Sequence, residues 1–365
     1  MKKSGVLALA VASMFTAHNA QAVEVAGDAL NIYGKLHLSA DVSDTDGLVA
    51  GSDASISSNS SRLGFKGKHD TKKGVAVVWQ LESEIRPDSS NETDKKETIA
   101  IASRNSYVGL KGSFGTVVFG HHDTPYKTVG SKWGIFGDSV GERRAILGAS
   151  ATDNNKLNQR GKNAVLYMNK FGNVEFQAMY AADALDSSTG AVDNNDNDMT
   201  SVAIMYKEGP LSLAVAQESW SNLTVNSSDP ASEIDGLRVS ASYKFADAKV
   251  GAIYETTDGT AGVSDQWTRD VMGFNAAYKV DSTTYKLQYL QADDYEGQAD
   301  SGATKTSVGV FNKLDKQTEV YLAYAVTDND INAKFQAVDG GHGDEVKTVN
   351  GGSPSSLSAG LVYKF

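Results

Sequence analysis

The 365-residue chain contains no cysteine. That excludes disulfide frameworks, thiol nucleophiles and cysteine-held metal centres. Proline is nearly absent, five residues against 35 glycines, which rules out collagen-like and proline-rich disordered architectures. Long apolar runs are missing too. The longest, residues 6–15, is too short to cross a bilayer as a helix, which takes about 20 residues. Histidine is scarce, and none of the six is spaced as a zinc-binding HExxH. A basic excess is also lacking: 34 Lys+Arg stand against 45 Asp+Glu, a net −11. Such an acidic chain is a poor partner for nucleic acid.

At the N-terminus, Lys2 and Lys3 precede the short apolar run, and Ala20-Gln21-Ala22 gives the small-x-small pattern of a cleavage site. These predict export with a cleaved leader, residues 1–22. The mature chain, 23–365, shows no internal boundary and reads as one domain.

Within it the dominant signal is period two. In residues 30–42, Leu30, Ile32, Leu36, Leu38 and Val42 share a face, and Tyr33, Lys35, His37, Ser39 and Asp41 share the other. Strict alternation marks a strand with one apolar and one polar face. The run is long enough to cross a bilayer at a tilt. Leu237-to-Phe245, Tyr285-to-Tyr289 and Val320-to-Val326 repeat the pattern. Sixteen candidate strands are centred near 36, 65, 80, 107, 118, 165, 177, 203, 215, 240, 254, 275, 288, 309, 322 and 360; those near 107 and 165 alternate poorly.

Connections between them go long, short, long, short down the chain, as an up-and-down barrel with external loops and tight periplasmic turns requires. All five prolines fall in connections, since proline removes a ladder donor. The expected fold is therefore all-β: a 16-stranded antiparallel transmembrane β-barrel. Its third external loop, 124–158, is rich in glycine and polar residues, with Trp133-Gly134-Ile135-Phe136-Gly137-Asp138 at its heart. A stretch this long and aperiodic has a job. It is expected to fold into the lumen and narrow a water-filled channel.

Four motifs carry a family resemblance: Leu30-Asn31-Ile32-Tyr33-Gly34-Lys35, Ser61-Arg62-Leu63-Gly64-Phe65-Lys66-Gly67, Ser103-Arg104-Asn105-Ser106-Tyr107-Val108-Gly109-Leu110, and the ending Leu361-Val362-Tyr363-Lys364-Phe365. In this order, behind a leader, they resemble the trimeric 16-stranded general porins of Gram-negative outer membranes. The resemblance implies passive diffusion of small hydrophilic solutes and ions, without enzyme activity, catalytic residues, bound metal or cofactor. It implies a homotrimer among outer-membrane lipids, assembled by the insertion machinery that reads the terminal Phe365. It also implies a basic ladder on the wall at Lys35, Arg62, Arg104 and Arg160, which Lys66 extends by parity. The family's acidic loop motif, Pro-Glu-Phe-Gly, is Gly134-Ile135-Phe136-Gly137 here. Asp138, Glu142 and Asp123 are the nearest carboxylates, and Arg143 and Arg144 follow at once.

Three other readings compete with the channel. A substrate-selective channel would use lumen aromatics such as Tyr33, Tyr126, Trp133 and Tyr321. A barrel enzyme would need His121 or His122 beside Ser131 or Ser139. An adhesin or calcium-binding surface protein would use the Asp/Asn run at 193–198.

Overall fold

The structure, a computed structural model, describes residues 23–24, 28–47, 53–88, 102–149, 156–184, 197–223, 232–261 and 265–365. The leader, Pro230 and residues 193–196 of the Asp/Asn run lie outside these.

Sixteen transmembrane strands follow one another. They are β1 (Asn31–Asp44), β2 (Asp53–Ser58 continued by Arg62–Asp70), β3 (Ala76–Glu84) and β4 (Ser106–Gly112). Next come β5 (Gly115–Asp123), β6 (Arg160–Phe171), β7 (Val174–Ala181) and β8 (Met199–Glu208). Then β9 (Leu211–Leu223), β10 (Ser232–Phe245), β11 (Ala248–Ala261) and β12 (Arg269–Val280, led by Asp265–Gln266). The last are β13 (Thr283–Ala292), β14 (Ala303–Lys313), β15 (Thr318–Asn329) and β16 (Ser355–Lys364). Each pairs antiparallel with the next, and β16 returns to β1 with Ser355 opposite Asp44 and Lys364 opposite Lys35. Closure leaves no free edge strand among the described residues, the condition for β-structure in lipid. Every strand centre read from the sequence lies inside one of these strands.

Parity works as the alternation requires. On β1, Lys35, His37, Ser39 and Asp41 are buried inside while Val42 is exposed outside. Outward-facing Val239, Leu287, Leu322, Leu357 and Leu361 are all exposed. An apolar band of this extent would be an aggregation hazard in water and is the normal outer face of a membrane barrel. Phe171, Tyr243, Phe245, Tyr278 and Tyr285 stand exposed beside the short turns, where an interfacial aromatic girdle belongs. The weak alternation near 165 has a local cause. The β5–β6 ladder shifts register between Gly120 and His122, and Asn163, opposite the shift, has φ +47°. A bulge there resets which face each following side chain takes.

Phe365 follows β16 and lies against Gly34 on the outer wall, where any Cβ would overlap its ring. Its ring stacks with Tyr363 at 6.0 Å.

Candidate functional site

The loop after β5 is not wholly irregular, as the sequence had suggested. Thr124 caps a helix, α1 (Pro125–Trp133), its hydroxyl accepting from the Lys127 amide at 3.1 Å. Pro125 at the first helical position costs no hydrogen bond. The Thr-Pro pair was the overlooked signal. Beyond Gly134 the described residues run irregularly across the bore, with tight turns at Arg143–Ala145 and Lys156–Asn158.

Aromatics fix the loop to the wall where the wall lacks side chains. A Cβ on Gly236 of β10 would stand 2.8 Å from the Tyr126 hydroxyl. Cβ atoms on Gly251 and Gly273 would come within 3.0 and 3.2 Å of the Trp133 ring, and one on Gly309 within 3.1 Å of Phe136. All three aromatics are almost wholly buried.

Wall donors then satisfy the loop's carbonyls, which no ladder can reach. Asn275 donates to Trp133 O (3.1 Å), Lys286 to Ile135 O (2.9 Å) and Gln288 to Gly141 O (2.9 Å). Arg269 donates to Ala149 O at 2.8 Å. Behind α1 lies a sealed charged cluster. Arg238 meets Glu255 through Nε at 2.8 Å, donates to Tyr126 O, and lies 4.0 Å from the Tyr126 ring centre. Glu255 in turn accepts from the Tyr126 hydroxyl (2.9 Å) and the Gly148 amide (2.6 Å).

With the loop plastered over this side, a cavity of about 320 Å³ remains against β2 to β6. Lys35 reaches the loop's Asp138 at 2.7 Å, and Arg62 lies 4.0 Å from the same carboxylate. Arg104 holds the wall carboxylate Glu82 at 2.8 Å and Glu84 at 3.5 Å. Arg160 sits 3.1 Å from Asp123, which Lys127 of α1 also meets at 2.8 Å. Glu142 is taken by Arg143 (2.6 Å) and Arg144 (3.3 Å), and Arg144 is 3.7 Å from Asp138.

Burial acts to raise the pKa of Asp138, but Lys35, Arg144 and Arg62 together hold it below the ordinary carboxylate range. Glu142 is likewise lowered, burial being outweighed by Arg143 and Arg144. Both therefore carry charge at neutral pH. Burial pulls the Lys127 ammonium down to about 7 against the attraction of Asp123.

In these ion pairs seven cationic side chains meet five carboxylates, in and beside the cavity. Within this set the excess is two positive charges with Lys127 protonated and one without; Asp339 also acts on Arg144, and Asp41 on His342. The signs are interleaved, not segregated onto facing walls.

Lys66 lies farther toward the short turns, exposed, with its ammonium 5.0 Å from the Tyr33 ring centre. Neither Lys66 nor Lys35 is among the residues lining the cavity, but Lys35 is joined to it through Asp138. Glu82 and Glu84 were not singled out in the sequence, although they sit on the polar parity of β3. Arg143 and Arg144 both line the cavity.

A second loop, 330–354, also enters the bore. Gly340, Gly341 and His342 line the cavity. Ala337 and Val338 pack in one cluster with Phe136 and Val140. Lys305 of β14 ties both loops, donating to Val140 O at 3.3 Å and to Ala337 O. His342 Nε2 is 3.2 Å from Asp41 on β1. The sequence reading had assigned the narrowing to 124–158 alone.

The aromatic and His/Ser residues of the competing readings are engaged elsewhere, and the Asp/Asn run lies largely outside the described residues. Tyr126 and Trp133 face the wall, Tyr321 is buried with its hydroxyl 2.8 Å from His37 Nε2, and Tyr33 donates to Glu82 at 2.9 Å. They form no open aromatic track. Ser139 donates to Phe136 O, Ser131 accepts from Arg143, and His122 Nδ1 meets Asp123 O. None of these bonds joins a histidine to a serine.

A model of the Gram-negative porin family matches residues 7–332. The chain belongs to the Gram-negative porin family. Among curated relatives, this porin is similar to "Outer membrane porin protein 32" of Delftia acidovorans, 27% identical over 72% of this chain and 73% of the relative. It is also similar to "Outer membrane protein U" of Vibrio vulnificus, 29% identical over 59% of each chain. Among solved structures it resembles an anion-selective porin from Comamonas acidovorans, with TM-score 0.74 and 24% identity, covering 92% of this chain and 99% of that one. The trimer form of OmpT from Vibrio cholerae superposes with TM-score 0.68 and 19% identity, covering 92% and 99%. At these identities the structural likeness speaks for the fold. This porin is a Gram-negative outer-membrane protein forming a channel for passive diffusion of small hydrophilic solutes and ions.

Proposed function

We propose that loop 124–158, backed by 330–354, sets the size limit of the channel and that its charges favour anions. Lys35, Arg62, Arg104 and Arg160 supply the wall cations, with Arg143 and Arg144 from the loop. Asp123, Asp138 and Glu142 offset them only in part. The cationic excess around a cavity of about 320 Å³ carries this reading. A net positive ring lowers the energy of a passing anion and raises that of a cation, more strongly at low salt. The solved neighbour described as an anion-selective porin agrees with it.

The assembled state is proposed to be a homotrimer, as in the trimer form of the Vibrio cholerae neighbour. The leader is proposed to be cleaved after Ala22, and Phe365 to be the group read during membrane insertion. The decisive experiment is a planar-bilayer measurement under a potassium chloride gradient. Stepwise currents in threes and a reversal potential displaced toward that of chloride are expected. A displacement toward potassium would overturn the anion assignment.

A further inference from the structure

The short-turn end of the bore holds a second charged chamber. A cavity of about 560 Å³ lies below α1, against the inner wall of β6 to β11. Lys170, Lys207 and Lys244 line it from the last residues of β6, β8 and β10, Lys249 from the start of β11, and Lys132 from α1. Their parity points them inward: Lys207 follows buried Met205, and Lys244 follows Ser240 and Ser242, which line the same chamber. Glu175 is the opposing carboxylate, and it is held by Lys132 at 2.9 Å. Among the described residues no carboxylate lies within ion-pair distance of the other four lysines. This patch runs against a chain whose net charge is −11, so it is not a sample of general basicity.

We propose that this chamber is a binding basin for multivalent anions, molecules carrying several phosphate or carboxylate groups, distinct from the constriction above it. A space of this volume is roughly 8 Å across, about one Debye length at physiological salt. The lysine potentials therefore overlap across the whole chamber instead of being screened one by one. Enrichment in a common potential is exponential in the charge of the guest. If chloride is concentrated about threefold, a divalent anion gains roughly ninefold and a tetravalent one roughly eightyfold. Ammonium groups bind phosphate as point charges and need no fixed fork geometry. Four flexible side chains arranged around one space can therefore converge on anions of different shape. Trp133 and Met205 supply apolar lining that weakens local screening. The inference rests on the bore being an open ion channel only for its electrical readout.

Inorganic tripolyphosphate is the probe. Titration calorimetry of the detergent-solubilised protein reads binding whether or not the channel conducts. In bilayers the same probe should block chloride current more strongly from the short-turn side, and less so as salt rises. The fourfold variant Lys170→Gln, Lys207→Gln, Lys244→Gln, Lys249→Gln should raise the dissociation constant and the half-blocking concentration at least tenfold and abolish the sidedness. Its currents in plain potassium chloride should persist. If the fourfold variant assembles poorly, Lys170→Gln and Lys249→Gln taken singly should each weaken binding two- to threefold. Absent binding, or binding and block unchanged in these variants, overturns the proposal. A protein that binds tripolyphosphate but shows no chloride preference would instead overturn the constriction reading and leave the basin standing.

Discussion

Replacing Asp138 by Asn should make the channel more anion-selective by a calculable amount. Asp138 faces Lys35 at 2.7 Å, with Arg144 and Arg62 at 3.7 and 4.0 Å. Asn preserves the shape and tolerates the positive φ of 59° found there. The change raises the cationic excess by one. An ion passing about 5 Å away feels ~0.8 kcal/mol from one charge in water, cut to ~0.5 kcal/mol at 0.1 M salt. That is about a twofold gain for chloride and a twofold loss for potassium, hence roughly a fivefold shift in permeability ratio. At 1 M salt, with a Debye length of about 3 Å, the shift should shrink below about twofold. Reversal potentials at the two salt concentrations test both the sign and the screening. An unchanged ratio at 0.1 M, or a shift toward potassium, would refute the claim that ions pass within reach of this carboxylate.

Other consequences follow from the same geometry. Trp133→Ala empties the socket over Gly251 and Gly273, a loss of about 3–5 kcal/mol of packing; larger and noisier single-channel currents are expected, and native noise would count against the anchoring role. Arg238→Met strands Glu255 in a buried site at about 3–5 kcal/mol, whereas Arg238→Met with Glu255→Gln should recover most of the loss; thermal denaturation of the detergent-solubilised protein separates them. Because Lys127 is protonated only below about 7, acidification from about pH 8 to 6 should strengthen chloride preference, and Lys127→Met should flatten that profile. Phe365→Ala should lower the yield of membrane-assembled protein; full yield would remove the terminal ring from the insertion signal.

Much of the barrel was legible because a membrane enforces parity on every residue of every strand. Lys35 lies on the polar side of a strictly alternating run, and its side chain is buried within the barrel. What alternation cannot supply is register. Glu82 becomes a partner of Arg104 and Arg62 only once β2, β3 and the start of β4 are aligned, so its part in the constriction was invisible. Lys66 shows the converse: correct parity placed it inside, but its height along the bore keeps it from the cavity. The helix α1 escaped notice because glycine and polar residues obscured its short apolar face, with only Thr124-Pro125 announcing it. The inward fold of 330–354 depended on Phe335, Ala337 and Val338 finding apolar partners on another loop and on the wall, a contact between segments nearly 200 residues apart.

The seam between β1 and β16 has a consequence for how the molecule is made. Its two halves, Asn31–Asp44 and Ser355–Lys364, lie more than 300 residues apart in the sequence. The cylinder closes only when both are in place. Until then two raw strand edges stay open, and open edges invite pairing between one chain and another.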